Sequence, residues 1–129
     1  MISMQKITLR GQEYPILFDV NVMQQVQKRY DGIEKLGDKL RDFEEMKWIM
    51  STIISEGMEY ESYITNQPIK RITPQQAGML LSWGDFTSGV MSQKVIDAFN
   101  ESLGNEKNLS AEDLTMLANS MQDLEKTNA

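Results

Sequence analysis

Only one stretch of this chain alternates apolar and polar residues as a strand pair does: Gln5 to Arg10 and Glu13 to Phe18, on either side of Gly11-Gln12. Two strands are marginal on their own in water, so this hairpin has to lie on helices or pair with another chain. Ile7 and Leu9 are expected to face Ile16 and Tyr14. A two-residue loop at Gly11-Gln12 would set Thr8 opposite Pro15 in a hydrogen-bonded pair, which proline cannot complete without an N–H. The expected loop is therefore Arg10 to Glu13, closed by Leu9 and Tyr14.

After Phe18 the periodic stretches all read as helix. Asn21 is the expected cap of a first helix with Val22, Met23, Val26 and Tyr30 at helical spacing, an outer face of Gln24, Gln25, Lys28 and Arg29, and a stop at Gly32. Ile33, Leu36 and Leu40 share one face of a second piece that Gly37 makes short or irregular. Asp42 with Glu45 fits a capping box and opens the most apolar helix, Phe43 to Glu56, with Gly57 as its stop. Met58 to Ile72 lacks sustained periodicity, is broken by Pro68, and reads as part helix, then loop. Thr73-Pro74-Gln75-Gln76 has an N-cap, a proline at the first helical position and a glutamine to close the box. Its helix carries Ala77, Leu80, Leu81 and Trp83 and is expected to stop at Gly84. Asp85 should then cap a helix from Phe86 to Leu103, with Phe86, Val90, Met91, Val95, Ala98 and Phe99 inward and Gly104 at its end.

The predicted class is α+β and mostly α-helical: an N-terminal β-hairpin packed on a bundle of about four to five helices, plus a C-terminal amphipathic helix. Residues 1–104 form the compact domain, and 105–129 a polar linker followed by that last helix. Ser110 caps it, Leu109 and Leu114 stand at the staple positions, and Leu114, Leu117, Met121 and Leu124 make one narrow apolar seam. Such a seam needs a partner, inside the domain or outside it.

Charge and composition narrow the function. Of the formal net charge of −6, half lies in residues 105–129, which hold 5 acids and 2 bases. Basic residues are few and interleaved with acids, so no phosphate-binding stripe forms and no nucleic-acid partner is expected. No apolar run approaches the roughly 18 residues of a membrane span. Met1 to Lys6 carry neither a basic segment nor an apolar core of a signal, and a cytoplasmic setting is the expectation. With no histidine and no cysteine, the chain lacks the usual near-neutral base, the usual zinc ligands and a thiol nucleophile. No phosphate loop, dinucleotide fingerprint, calcium loop or nucleophile elbow is present. Catalytic residues, cofactor sites and metal sites are all expected to be absent, and the Glu44/Glu45 and Glu56/Glu59/Glu61 clusters read as solvated helix ends.

Methionine is abundant, ten residues in 129. Met46, Met50 and Met91 are expected in the core, whereas Met116 and Met121 suit an adaptable surface equally well. Tyr60, Tyr63 and Trp83 are of the type that anchors partners, with buried packing the expectation for Trp83. The candidate partner-binding residues are thus Tyr60, Tyr63, Leu114, Leu117, Met121 and Leu124. Ile7, Leu9, Tyr14 and Ile16 on the hairpin are the candidates for self-association, since an open strand edge can pair between chains.

The ordered set "ITLRGQEYPILFDVNVMQQVQKRYDGIEKL", "WIMSTIISEGMEYESY" and "RITPQQAGMLL" resembles the tail assembly chaperones of long-tailed phages and related prophages of low-GC Gram-positive hosts. Gly11, Glu13, Tyr14, Pro15 and Phe18 carry it in the hairpin. Tyr30, Glu56-Gly57 with Tyr60 and Tyr63, and Thr73-Pro74 carry it further along. It spans residues 5 to 103 and fades after Gly104. The resemblance implies a non-enzymatic protein located in the cytoplasm of the bacterial host and absent from the mature virion. It would coat and solubilise the helical tape measure protein, self-associate into an oligomer, and recruit tail tube subunits, the last in some cases through a longer frameshifted form. Two other readings fit the composition: a structural tail or head-tail connector component, and a small acidic regulator of a host protein.

Overall fold

In the computed structural model, residues 5–103 are described, and their order is β1 (Gln5–Leu9), β2 (Gln12–Ile16), α1 (Val20–Tyr30), a 3-10 turn (Ile33–Lys35), α2 (Leu36–Lys39), α3 (Phe43–Thr65), α4 (Pro74–Leu80), α5 (Trp83–Thr87) and α6 (Val90–Ser102). This is a mostly helical α+β fold with one antiparallel hairpin. Ile7, Leu9 and Ile16 on the hairpin join Val22, Val26, Ile49, Ile53 and Phe99 in one core, with α3 running through its middle. Met46, Met50 and Met91 are fully buried there, as their helical spacing predicts.

The hairpin turn differs from the expected four-residue loop. The register pairs Leu9 with Gln12, Ile7 with Tyr14, Lys6 with Pro15 and Gln5 with Ile16, which leaves the two-residue loop Arg10-Gly11. Arg10 has φ 51° and Gly11 φ 78°, the pair of positive values that a type I′ turn requires. The closing pair of such a loop is hydrogen-bonded, so alternation makes Lys6–Pro15 a non-bonded pair. The proline constraint is met by moving the loop one residue toward the N-terminus, with the same set of residues facing the core.

α3 is longer than its sequence suggests, because Gly57 is not a stop. A Cβ at Gly57 would lie 2.6 Å from both the carbonyl carbon and oxygen of Pro15 and 2.9 Å from the nitrogen of Ile16. The glycine is there so that β2 can press its backbone onto the helix, and at this crossing the Leu17 N–H donates to the Ile53 carbonyl at 3.1 Å. α3 continues to Thr65 and ends on Asn66, in the left-handed region at φ 57°.

The extended segment 67–73 returns along α3. Ser55 Oγ accepts from the Ile72 N–H at 2.9 Å and also donates to its carbonyl at 3.1 Å, while Ser51 Oγ donates to that carbonyl at 2.7 Å. One turn of α3 thus satisfies both backbone groups of Ile72, and the segment needs no strand partner.

Several helix starts move. Asp19, not Asn21, caps α1, accepting from the Val22 N–H at 2.9 Å. α1 ends on Asp31 in the left-handed region, one residue before Gly32. Asp42 caps α3 by accepting from Glu44 and Glu45 N–H groups, but the Glu45 side chain turns to Arg29, so the box is not reciprocal. Thr73 and Gln76 do form a reciprocal box around Pro74. α4 stops at Leu80 rather than Gly84, because Ser82 caps a separate five-residue helix by accepting from the Asp85 N–H at 3.4 Å. Gly89, at φ 84°, breaks α5 from α6. The predicted single helix from Phe86 to Leu103 is therefore two, with Met91, Val95, Ala98 and Phe99 buried, Phe86 half-buried and Val90 exposed.

Candidate functional site

The break between α4, α5 and α6 creates the most distinctive surface of the molecule. Phe43 and Trp83 each occupy the first helical position after a cap, Asp42 and Ser82 respectively. At that position a side chain leans back over the cap rather than onto the core. Both rings consequently stand in solvent, Phe43 at 52% and Trp83 at 69% exposure. They are stacked with centroids 5.2 Å apart and planes 23° from parallel, and Phe86 lies against Phe43 at 4.9 Å.

These three rings floor a cleft of about 290 Å³ whose walls are Leu81, Arg10 and Lys47. Arg10 reaches from the hairpin turn to the end of α4, donating through Nε to the Met79 carbonyl at 2.7 Å and through Nη2 to the Leu81 carbonyl at 3.4 Å. Lys47 lays its stem over Gly78, where a Cβ would meet its Cδ at 2.8 Å. The lining is apolar with two cations and no carboxylate. It suits an apolar side-chain row accompanied by acids.

The expected position for Trp83 was the core, and this is a correction: the two-residue offset between Gly84 as a stop and Ser82 as a cap swings the indole outward. Phe43 was also missed as a surface residue, whereas Phe86, expected inward, is half-buried against the core. Ser82 with Asp85 three residues on is the sequence signal that would have placed Trp83 at a helix start.

Tyr60 and Tyr63 do come together, on the opposite charge. They line a shallow groove of about 510 Å³ with Asp19, Glu56, Glu59 and Ile69. Tyr60 is half-buried, whereas Tyr63 is exposed, as are the neighbouring Ile64 and Ile69. Burial pushes the Glu56 carboxyl above its ordinary value, helped by its contact with Asp19 and opposed by the 3.3 Å hydrogen bond from Asn21 Nδ2.

A third cluster is built for rigidity. Arg29 makes a two-point ion pair with Glu45, 2.6 Å and 3.2 Å, and stacks its guanidinium 4.5 Å over Trp48, which meets Tyr30 edge-on at 5.8 Å. The Arg29 bonds are the main reason Glu45 sits below its usual carboxylate value, and burial is the main reason the Tyr30 hydroxyl is raised.

The side chains of the hairpin candidates for self-association face the helices. The side chains of Ile7, Leu9 and Ile16 are 4%, 2% and 3% exposed and belong to the core, with Tyr14 half-buried against it. They cannot present an apolar face to a second chain, because that face is what attaches the hairpin to the helices. Leu114, Leu117, Met121 and Leu124 lie outside the described residues.

No protein-family model, curated protein or solved structure matches the chain. Among the described residues no group of three or more acids could hold a metal ion, and no helix is long and apolar enough to cross a membrane.

Proposed function

We propose that the chain is a tail assembly chaperone, a non-enzymatic protein that binds the apolar stripes of a helical tape measure protein and keeps it soluble. The observation that carries this reading is the exposed stack of Phe43 on Trp83 with Phe86 beside it, in a cleft free of carboxylates. Exposed aromatic clusters of this kind are what interface anchors look like, and their rings accept varied apolar side chains without a strict polar code. The ordered resemblance of residues 5–103 supplies the partner's identity: a long helical protein with many non-identical apolar stripes.

On this reading each cleft makes a modest contact, and repetition along the tape measure gives the coat its strength while leaving it displaceable. The Tyr60–Tyr63 groove, with Tyr63 exposed and Asp19, Glu56 and Glu59 around it, is a second surface that takes basic, apolar segments, either of the partner or of tail tube subunits. The setting is the cytoplasm of the bacterial host, with the chaperone leaving before the tail is complete. Co-expression with the tape measure protein of the same genome tests the reading. The partner should move from the pellet to the soluble fraction with this chain and remain in the pellet without it. Purified particles should lack the chain by mass spectrometry.

A further inference from the structure

We propose that the chain pairs with a second copy of itself along the outer edge of β1, through the backbone groups of Lys6 and Thr8, so that one antiparallel sheet runs across both copies. The register of the hairpin prepares that edge. Leu9–Gln12, Ile7–Tyr14 and Gln5–Ile16 are the bonded pairs, so Lys6 and Thr8 turn their N–H and C=O groups away from β2. Among the described residues no backbone group pairs with them there, and both side chains are exposed.

The two edges of the hairpin are treated unequally. On β2 the outward positions are Glu13 and Pro15, and Pro15 has no N–H to offer, while its carbonyl lies against α3 at Gly57. A proline and a covering helix are the usual devices that keep an edge from pairing. β1 has no proline, and its single charge, Lys6, stands on the solvent face 3.9 Å from Glu13. Beside it lies a cleft of about 290 Å³, bounded on the far side by α6. Gln5 Nε2 donates to the Ala98 carbonyl at 3.4 Å and fixes the strand end to that helix. An added strand enters this cleft about 4.8 Å from β1.

Charge and register name the occupant. The rim of the cleft carries Lys6 and Lys94 against Asp97 and Glu101. A strand from a partner of one charge sign would meet like charge on half of that rim. A second copy brings the same balanced set, and a two-fold contact has to be complementary to itself. Centred on Ile7, the antiparallel register sets Lys6 opposite Thr8 of the second copy and Thr8 opposite its Lys6. Each pair exchanges both N–H···O bonds, and no lysine stands directly opposite another. Ile7, Leu9 and Ile16 keep their places in the core throughout, so the contact runs through backbone rather than through an apolar face. That such a dimer offers two aromatic clefts to one partner rests on the chaperone reading. The pairing itself does not.

The test uses the full chain and no other protein. Sedimentation velocity from about 1 µM to about 1 mM should show a monomer–dimer equilibrium. Amide hydrogen exchange read by NMR should show Lys6 and Thr8 protected about tenfold or more at the high concentration relative to the low one, with Glu13 on the other edge unchanged. Thr8→Pro removes an outward N–H that the hairpin does not use, a change an edge strand tolerates. It should weaken the dimer roughly thirtyfold, since the two-fold contact loses two hydrogen bonds, while circular dichroism stays the same. Glu13→Pro, the matching change on β2, should leave the dimer intact. A monomer throughout the concentration range overturns the proposal. So does a dimer in which Lys6 and Thr8 exchange as fast as in the monomer, and so does protection of the two amides that is independent of concentration, which would place their cover within one chain. None of these results bears on whether the tape measure protein is solubilised, which the co-expression experiment reads separately.

Discussion

Gly57→Ala separates the two roles a helical glycine can have. Were Gly57 an ordinary helix residue, alanine would stabilise the protein by about 1 kcal/mol through helix propensity. In this structure the new methyl would meet Pro15 C and O at 2.6 Å and Ile16 N at 2.9 Å, where ordinary contact starts at 3.4 Å. β2 and α3 would have to separate by about 0.8 Å, and the atoms in the way are backbone, which cannot rotate aside. That displacement stretches the Leu17-to-Ile53 hydrogen bond, now 3.1 Å, beyond bonding range. Overpacking of this kind costs about 3 kcal/mol at the upper end of its usual range, and the propensity gain offsets about 1 of it. The expected net loss is about 2 kcal/mol, a fall of roughly 6–10 °C in Tm for a chain of this length. Thermal unfolding followed by circular dichroism is the assay. Gly37→Ala is the control: its Cβ would meet only Ile96 Cδ1 at 3.9 Å, and a small gain in Tm is expected. A Gly57→Ala protein as stable as the parent, or more so, would refute the close approach of β2 to α3.

Ser55→Ala removes the acceptor of the Ile72 N–H and should destabilise the fold by about 1–3 kcal/mol in urea, with faster tryptic cleavage after Lys70 and Arg71. Acid titration should reveal two opposed carboxylates. Glu45, held low by Arg29, contributes stability above its unfolded value of 4.5 and loses it as pH falls through its lower folded value; Glu45→Gln should remove that loss, by about 0.5–1 kcal/mol. Glu56, held high by burial and Asp19, behaves in reverse: its contribution is present below 4.5 and is lost as pH rises through the raised folded value. Glu56→Gln should therefore leave the protein at least as stable at pH 7. Trp83→Ser, at a ring 69% exposed, should change stability by less than about 1 kcal/mol yet weaken partner binding by about 2 kcal/mol or more in calorimetry.

The sequence was readable wherever a local rule acted alone. Thr73-Pro74-x-Gln76 specifies its cap through atoms within four residues, and the structure contains that box intact. The core methionines and the α1 stripe follow from period alone. Legibility failed where a distant element decided. Gly57 looked like a stop because the strand that requires it lies some forty residues earlier. Ser51 and Ser55 gave no sign of their tie to Ile72, since serine on a helix is ordinarily silent. The hairpin loop lies one residue earlier than expected because Arg10, a non-glycine residue, takes a positive φ that its sequence does not announce, and that register also leaves Pro15 in a non-bonded pair. The aromatic cleft was hidden for a related reason. Its three rings come from two sequence regions, and the exposure of Trp83 depends on Ser82 winning the cap over Asp85.

The most direct test of the central claim is size-exclusion chromatography with light scattering on this chain co-expressed with the tape measure protein. The chaperone account expects a soluble high-mass complex with many copies of the chain per partner, and its loss when Phe43 and Trp83 are both replaced by serine. A tape measure protein that stays insoluble while this chain elutes alone, or a complex that survives the double replacement unchanged, would contradict it.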